Sequence, residues 1–196
     1  MNRAQNAPQP AKLIPNLGLK YRNTFGFDAS AELAYEITSP EQIPEVISTV
    51  TNQKLTWRVL GGGSNVILPK VLPGVTLLIN ITGQEIISSD DDATYLAVGG
   101  GVNWHELVAW TLENDLPGLE NLALIPGTVG AAPIQNIGAY GVEIADYIDR
   151  IEAFDAKDQA FVTLTKDACH FAYRDSYFKQ NPQRYLQNQY KSLWQF

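Results

Sequence analysis

The chain has 196 residues, 45% of them hydrophobic, with 14 Lys and Arg against 21 Asp and Glu for a formal net charge of -7. No stretch reaches the roughly 18 apolar residues of a membrane span, the N-terminus lacks the apolar core of a secretory signal, and there are no basic clusters that would bind nucleic acid. One cysteine and two histidines exclude an intramolecular disulfide and offer no zinc site, and the low cysteine usage makes a cytoplasmic protein the expectation.

In the N-terminal part, an arm, a strand and a helix are predicted in that order. Residues 1–22 are rich in Pro, Asn and Gln and form an extended arm in this prediction, with order beginning near Asn23. Residues 31–38 mix apolar and polar positions like a half-buried strand. Ser39-Pro40-Glu41-Gln42 combines an N-cap, a first-turn proline and a capping-box glutamine, which predicts a helix that runs to about Val50.

The middle of the chain is predicted to hold short strands around glycine clusters. A strand over residues 56–60 runs into Gly61-Gly62-Gly63-Ser64-Asn65, and apolar residues 66–68 follow at once, so the glycine loop is expected to join two extended segments. A boundary between two lobes is expected near residues 68–74. Further strands are predicted over residues 75–81, 85–88 and 94–98. A second cluster, Gly99-Gly100-Gly101, comes after them.

A helix, an irregular segment and a hairpin complete the pattern. Asn103 is the expected N-cap of the helix. The apolar face of this helix is predicted to carry Trp104, Leu107, Val108, Thr111 and Leu112. Residues 116–141 match no periodic template, and an apolar, glycine-rich stretch of this length predicts backbone wrapped closely around a ligand. Residues 148–155 and 160–164 predict a hairpin, and the elements together predict an α+β fold.

The loop over residues 61–65 is the first chemical signal. Successive main-chain N–H groups in such a turn form a concave nest that can hold the oxygens of a diphosphate. A P-loop would need Gly-Lys-Ser or Gly-Lys-Thr, and a dinucleotide fingerprint would need the glycines to open a helix, so neither common nucleotide motif fits. Taken alone, the loop is equally compatible with a tight turn that requires positive φ.

Two later segments add to this signal. Residues 119–141 place main-chain donors beside small apolar residues, which suits the edge of a flat, partly apolar ring; a buried structural loop is the alternative. Tyr173-Arg174-Asp175-Ser176 offers a planar guanidinium fork suited to a carboxylate or a developing enolate. An arginine beside an acid is, however, more often part of a surface ion pair.

Structural roles are expected for the other reactive or aromatic groups. Cys169 is predicted to be a small buried hydrophobe, and His105 and His170 to be surface or capping residues. Trp104 is expected to pack against the core rather than to stack on a ligand. Asp90-Asp91-Asp92 is predicted to be a solvated turn, and no metal site is expected.

Taken together, these motifs resemble those of the UDP-N-acetylenolpyruvoylglucosamine reductase family, flavoenzymes of peptidoglycan precursor synthesis. The motifs that carry the resemblance, in the family's order, are residues 23–26 (NTFG), 61–65 (GGGSN), 118–121 (GLEN), 125–130 (IPGTVG), 133–141 (PIQNIGAYG) and 173–179 (YRDSYFK). The resemblance implies a two-lobed FAD-binding domain of the vanillyl-alcohol-oxidase (PCMH) type over residues 23–182, with residues 183–196 as an atypical tail.

The resemblance also implies a reaction and a set of site residues. NADPH would reduce FAD, and hydride would then pass to the enolpyruvyl group of a UDP-sugar substrate, giving UDP-N-acetylmuramate. The residues that would receive the FAD diphosphate are Gly61, Gly62, Gly63, Ser64 and Asn65. Those that would line the flavin and its ribityl chain are Pro126, Gly127, Val129, Gly130, Ile134, Gln135, Gly138 and Gly141. Arg174 matches the family arginine and would stabilise an enolate-like intermediate, and Tyr173 would help to bind the substrate.

The chain also departs from the family. Ala131-Ala132 stands where some relatives have serines. Family members continue into a substrate-binding domain that supplies a proton-donating serine and a late glutamate, and no motif here matches either. Residues 187–196 lack the alternating apolar strand expected after Arg184-Tyr185. We therefore expect a truncated chain, with an altered reading frame at its tail as a hypothesis, that binds FAD with little turnover. A noncatalytic flavin-binding or assembly module is the alternative, and an oxidase of the same superfamily is a third, less favoured one.

Overall fold

The computed structural model describes residues 10–90 and 93–195, and for residues 187–195 it describes the backbone alone. Asp91 and Asp92 lie outside the described residues, so the prediction of a solvated acidic turn stays a prediction. In the described ranges, none of the helices has the length and apolar content needed to span a membrane. Over the same ranges, no three His, Cys, Asp or Glu side chains are grouped in a way that could hold a metal ion.

The first sheet has four strands in the order β1-β2-β4-β3. The strands are β1 (Lys12–Gly18), β2 (Ser30–Ile37), β3 (Trp57–Leu60) and β4 (Val71–Ile79). Strand β4 is parallel to both β2 and β3, whereas β1 lies antiparallel to β2 at the edge. Strands β2 and β3 therefore run in the same direction, and helix α1 (Ile43–Asn52) provides the crossover that this arrangement requires.

The second sheet has five strands in the order β10-β9-β11-β6-β5, and all neighbouring strands are antiparallel. The elements of this half are β5 (Gln84–Ser89), β6 (Thr94–Val98), α2 (Trp104–Glu113), the two-residue strands β7 (Gly138–Ala139) and β8 (Val142–Glu143), β9 (Ile148–Asp155), β10 (Ala160–Thr165), α3 (Tyr177–Gln180) and β11 (Tyr185–Gln195). The segment between α2 and β9 contains only 3₁₀ turns and the small β7–β8 hairpin. This segment carries most of the candidate site residues.

Each ten-residue helix buries one face. Helix α1 buries Ile43, Val46, Ile47 and Val50, at helical spacing, against the apolar side of β4. The same cluster includes Phe154 of β9 and Leu186 of β11, so the two lobes share part of their core. Helix α2 buries Trp104, Leu107, Val108 and Thr111. Its face packs in a second cluster with Leu96, Val98 and Ile151 of the five-stranded sheet.

The predicted helix starts are confirmed. The Gln42 side-chain oxygen accepts hydrogen bonds from the main-chain N–H groups of Thr38 at 2.8 Å and Ser39 at 3.1 Å, which forms the capping box. Asn103 caps α2 by accepting from the Glu106 N–H at 3.1 Å. One position differs from the expectation, because Leu112 is 48% exposed and does not belong to the buried face of α2.

The N-terminal segment is more ordered than predicted. Residues 12–18 form β1, which pairs with β2 along its length. The prediction that order begins near Asn23 is therefore wrong. Pro15 and the positive φ of Asn16 (51°) interrupt any alternation in this strand. Backbone pairing at a sheet edge holds the strand in place, and proline is tolerated at such an edge.

The last described residues also differ from the expectation. Residues 187–196 were expected to lack a strand, yet β11 extends to Gln195 and pairs with both β9 and β6. Two neighbouring strands offer backbone hydrogen-bond partners on both sides, and this tertiary context outweighs the weak apolar pattern of the segment.

The chain changes sheet later than expected. Residues 66–68 form no strand, and β4 begins only at Val71. Because β4 belongs to the first sheet and β5 to the second, the change of sheet falls between Ile79 and Gln84 rather than near residues 68–74. After the glycine loop, β4 returns to the first sheet and pairs between β2 and β3.

Candidate functional site

The two glycine-rich segments of the sequence lie against each other. A Cβ added to Gly62 would be 3.1 Å from the Cα of Gly127, and one added to Gly61 would be 3.1 Å from the Thr128 Oγ1. The Ser64 hydroxyl donates a hydrogen bond of 3.1 Å to the Pro126 carbonyl. Glycine suits both positions because an added Cβ would be tight against the Gly127 backbone at Gly62 and against the Thr128 side chain at Gly61. The loop over residues 61–65 and the segment from residue 125 onward are thus in direct contact.

A cleft of about 420 Å³ opens between these two segments. The predicted site residues that line it are Gly61, Gly62, Gly63, Ser64, Asn65, Pro126, Gly127, Ile134, Gln135 and Arg174. The chain carries a net charge of -7, yet none of the described residues along this cleft is acidic, and Arg174 is a cation. The local charge therefore favours an anionic ligand although the whole chain is acidic.

Two peptide units at the cleft are fixed by their carbonyl groups. The Gly63 carbonyl accepts from the Thr24 N–H at 3.2 Å, and the Gly127 carbonyl accepts from the Trp104 N–H at 3.1 Å. In a trans peptide the N–H points opposite to the carbonyl, so the N–H groups of Ser64 and Thr128 point away from these partners. In the part of the chain that the structure describes, neither N–H donates to a protein acceptor. They are thus available to the oxygens of an anion.

These features fit the diphosphate and flavin parts of FAD. The glycine loop offers main-chain donors without side chains that would keep a phosphate away. The opposite side of the cleft supplies small or apolar groups, among them Ile125, Pro126 and Ala131, which suit the face of a planar ring. A Cβ at Gly62 or Gly61 would be in tight contact with the facing segment, at Gly127 or Thr128.

Arg174 reaches the cleft from a two-residue turn. Two main-chain hydrogen bonds between Ala172 and Asp175, of 3.0 and 3.1 Å, close the turn around Tyr173 and Arg174. Arg174 has a φ of 53°, a left-handed conformation that costs a residue other than glycine roughly 1–2 kcal/mol. Its Nη2 donates to the Gly138 carbonyl at 2.8 Å. The arginine is therefore positioned by the cleft loop, and the ion pair with a neighbouring acid that sequence alone allows is not what the structure shows.

Asn136 connects the cleft loop to the arginine turn. Its side chain, 1% exposed, donates to Glu143 Oε2 at 2.7 Å and to the Ala172 carbonyl at 3.1 Å, and accepts from the Ala145 N–H at 3.1 Å. Ser176 adds a second connection by donating to the Ile134 carbonyl at 2.7 Å. Both polar groups are buried and satisfied, so the segment that lines the cleft and the turn that carries Arg174 are held in one geometry.

Some predicted site residues do not line the cleft. Val129 and Gly130 are buried, and their N–H groups donate to the carbonyls of Val102 at 2.9 Å and Gly100 at 2.8 Å. They anchor the loop to the second glycine cluster. Gly138 and Gly141 belong to the β7–β8 hairpin behind Arg174, and Tyr173 is 83% exposed beside it. Direct roles for these five residues stay predictions.

Other lining residues were not selected from the sequence. They are Val59, Leu60, Val66, Trp104, Ile125, Thr128, Ala131, Ala132 and Ile137. Thr128, Ala131 and Ala132 lie within or directly after the IPGTVG motif, so their position in the loop was the available signal. Trp104 packs in the core as predicted, with its indole N–H donating to the Leu122 carbonyl at 2.8 Å, and it also contributes to the floor of the cleft.

The remaining reactive side chains lie away from the cleft. Cys169 is fully buried, as predicted, and burial raises the pKa of its thiol to about 12. His105 and His170 are exposed, as predicted. His170 follows a 3₁₀ turn with a φ of 45° and packs edge-on against Tyr177. None of these groups is placed to react with a ligand in the cleft.

Comparisons with known proteins show the family of the chain. Residues 31–163 match the FAD binding domain family. The chain is 77% identical over 186 residues to the UDP-N-acetylenolpyruvoylglucosamine reductase of Polynucleobacter asymbioticus, covering 95% of this chain and 54% of that protein. It is 47% identical over 173 residues to the enzyme of the same name from Paraburkholderia phymatum, covering 88% and 50%. The chain thus spans about half the length of the curated relatives that it matches.

Solved structures show the same fold. The reductase from Thermus caldophilus superposes with a TM-score of 0.66 at 24% identity, over 94% of this chain and 60% of that one. A VAO-type flavoprotein from Myceliophthora thermophila superposes with a TM-score of 0.53 at 14% identity, over 70% of this chain and 27% of that one. The predicted two-lobed flavoprotein fold is thereby confirmed, as is the predicted resemblance to the UDP-N-acetylenolpyruvoylglucosamine reductases. The chain belongs to the family of FAD binding domains.

Proposed function

We propose that the chain binds FAD in the cleft between its two glycine segments and forms the FAD-binding portion of a UDP-N-acetylenolpyruvoylglucosamine reductase. The observation that carries this proposal is the close approach of Gly62 and Gly127, which brings two segments distant in sequence to one cleft free of acidic side chains. The proposal extends the family assignment to a cofactor position, a reaction and a substrate.

Within this proposal, different residues along the cleft bind different parts of the cofactor. The loop over residues 61–65 holds the diphosphate, and the Ser64 N–H is a donor to its oxygens because the Gly63 carbonyl is turned away. Pro126 and Ile134 would supply apolar contacts to the flavin ring, and Gln135 a polar group beside them. Val129 and Gly130 act indirectly, because their hydrogen bonds hold the segment that follows Gly127 against residues 100–102.

Arg174 is proposed to act on the substrate. FAD, when bound, supplies the hydride chemistry, with NADPH as the proposed reductant and the enolpyruvyl group of a UDP-sugar as the acceptor. A guanidinium remains protonated, and from the cleft wall Arg174 would stabilise the negative charge that develops on the carboxylate side of that group. The turn and the hydrogen bond to Gly138 hold the Arg174 side chain in place before the substrate binds. The guanidinium therefore needs little rearrangement to meet the developing negative charge. A cytoplasmic role in peptidoglycan precursor synthesis is part of the proposal.

The direct test is FAD binding by the purified chain. Adding FAD to flavin-free protein is expected to quench flavin fluorescence and to shift the visible absorption bands, with saturation at one FAD per chain. Riboflavin is the comparison ligand, because it shares the ring and lacks the diphosphate that the glycine loop would hold. Absence of saturable FAD binding by folded protein would refute the proposal.

Turnover is expected to be low for these 196 residues alone. No motif in the sequence matches the proton-donating serine or the late glutamate of the relatives, and general acid catalysis contributes roughly 10²–10⁴-fold in rate. NADPH oxidation should therefore be slow with the UDP-sugar present, and should rise when the C-terminal half of a full-length relative is mixed in. Flavin binding without such a rise would favour the alternative, a noncatalytic flavin-binding or assembly module. Oxygen consumption by the reduced protein tests for an oxidase.

A further inference from the structure

The segment over residues 19–27, here called the Asn23 turn, packs against the back of the glycine loop. Asn23 is 7% exposed, and its amide makes four bonds within this segment, the longest from Nδ2 to the Lys20 carbonyl at 3.5 Å. The Nδ2 donates to the Leu19 carbonyl at 2.8 Å and to the Phe27 carbonyl at 3.1 Å, and the Oδ1 accepts from the Phe27 N–H at 2.9 Å. Two main-chain bonds also close the segment, from the Arg22 N–H to the Leu19 carbonyl at 2.9 Å and from the Gly26 N–H to the Asn23 carbonyl at 3.2 Å, and the buried amide joins the two ends of the turn.

The Asn23 turn is attached to the first sheet on both sides. Leu19 is fully buried in a cluster with Leu60, the residue that precedes the glycine loop. Arg22 pairs with Glu36 of β2, with the Nη2 and Oε1 2.7 Å apart. The turn therefore has a fixed position relative to the start of the loop.

The contact between the turn and the loop falls on Gly63. Gly63 has a φ of 63°, and a Cβ added there would collide with the Arg22 carbonyl oxygen. The Thr24 N–H donates to the Gly63 carbonyl at 3.2 Å. This bond sets which way the Gly63–Ser64 peptide faces. If the peptide rotated, its carbonyl oxygen would replace the Ser64 N–H and would repel an anion.

We infer that Asn23 is a positioning residue for the FAD diphosphate, acting through the Thr24 N–H and the Gly63 carbonyl to keep the Ser64 N–H directed at the phosphate oxygens. This inference rests on the proposed FAD binding. Asn23 itself touches neither the cleft nor the cofactor, because it is absent from the residues that line the cleft. Its effect reaches the ligand only through the orientation of one peptide.

The test uses the variants Asn23→Ala and Thr24→Pro on the full chain. Asn23→Ala removes the four side-chain bonds of the turn. Thr24→Pro leaves the Asn23 side chain in place and deletes the N–H that holds Gly63, and the extended conformation of Asn23 (φ -147°, ψ 142°) is the one that a following proline requires. The ³¹P NMR spectrum of bound FAD reports on the diphosphate. We expect its signals to move from the wild-type positions in both variants, and the FAD dissociation constant to rise about tenfold.

Gln42→Ala is the matched control. Gln42 has the same 7% exposure, accepts from two main-chain N–H groups, and lies at the start of α1 outside the cleft. It should lose stability much as Asn23→Ala does while the ³¹P signals of bound FAD stay in place. Wild-type ³¹P positions in Thr24→Pro, whatever its FAD affinity, would overturn the inference. Failure of the wild-type chain to bind FAD would instead refute the proposed function.

Discussion

The substitution Gly62→Ala tests the packing of the cleft most directly. A Cβ at Gly62 would lie 3.1 Å from the Cα, 3.5 Å from the carbonyl carbon and 3.8 Å from the nitrogen of Gly127. Carbon atoms prefer separations of about 3.5–4.0 Å, so the closest contact is short by roughly 0.4–0.9 Å. All three of these atoms belong to the backbone of Gly127, so no flexible side chain can move to relieve the contact. The two glycine segments must therefore move apart.

Two quantities are expected to change in Gly62→Ala. The free energy of unfolding should fall by about 1–3 kcal/mol, the usual effect of overpacking at a rigid contact. The dissociation constant for FAD should rise by roughly ten- to a hundredfold, because separating the segments loses at least one hydrogen bond to a charged phosphate, worth about 1.5–3 kcal/mol. Urea denaturation measures the first and flavin fluorescence titration the second.

Gly18→Ala provides the control for this substitution. A Cβ at Gly18 would meet no atom within 4 Å, and Gly18 lies in β1, away from the cleft. Its φ, like that of Gly62, is not positive, so neither alanine is strained by its backbone conformation. Gly18→Ala should bind FAD as the wild type does and gain about 0.4–1 kcal/mol in stability. Equal FAD affinity and equal stability for Gly62→Ala and wild type would refute the reasoning.

Further predictions concern stability and reactivity. Burial alone would raise the pKa of Asp155, but hydrogen bonds from the Asp158 and Lys157 N–H groups and from Arg184 lower it overall. Its stabilisation is therefore complete above the ordinary aspartate pKa of about 3.9 and is lost as the pH falls through the lower folded value, so urea unfolding of Asp155→Asn should lack this loss; equal pH slopes in both proteins would contradict the assignment. Cys169, with its pKa raised to about 12, should react with Ellman's reagent at pH 8 only in denaturant, and rapid reaction of the folded chain would show the burial to be wrong.

The parts of the fold that were predicted well from sequence are determined by interactions between residues close together in the chain. The capping box at Ser39 and Gln42 and the N-cap at Asn103 are each complete within four residues, so the starts of both helices follow from the side chains present. The same holds for the hairpin of β9 and β10, whose turn includes Gln159 at a φ of 51°. Such features need no distant partner.

The parts that sequence missed depend on partners far along the chain. Strand β1 contains a proline and a positive φ at Asn16, and only its pairing with β2 makes it a strand. The boundary between the sheets was misplaced because β4 must return to pair between β2 and β3. A pattern read locally contains neither fact, since pairing at long range is decided by backbone groups that every residue shares.

The candidate site shows the same division. The glycine loops were recognised from their sequence, and the structure brings ten of the predicted residues to one cleft. The bond from Arg174 to the Gly138 carbonyl and the bond from Asn136 to the Ala172 carbonyl each join segments separated by more than thirty residues. Their roles become visible only when the turn at residues 172–175 lies beside the β7–β8 hairpin.

The central position of β11 affects how the second lobe is assembled during synthesis. Ser192 lies opposite both Val98 of β6 and Ile151 of β9, so without this strand the β5–β6 and β9–β10 ribbons share no hydrogen bonds. A nascent chain that ends before residue 185 would leave both ribbons with unpaired edges, which invite aggregation. The second sheet should therefore need chaperone protection until β11 has been synthesised, because the pairing of β11 with β6 is non-local.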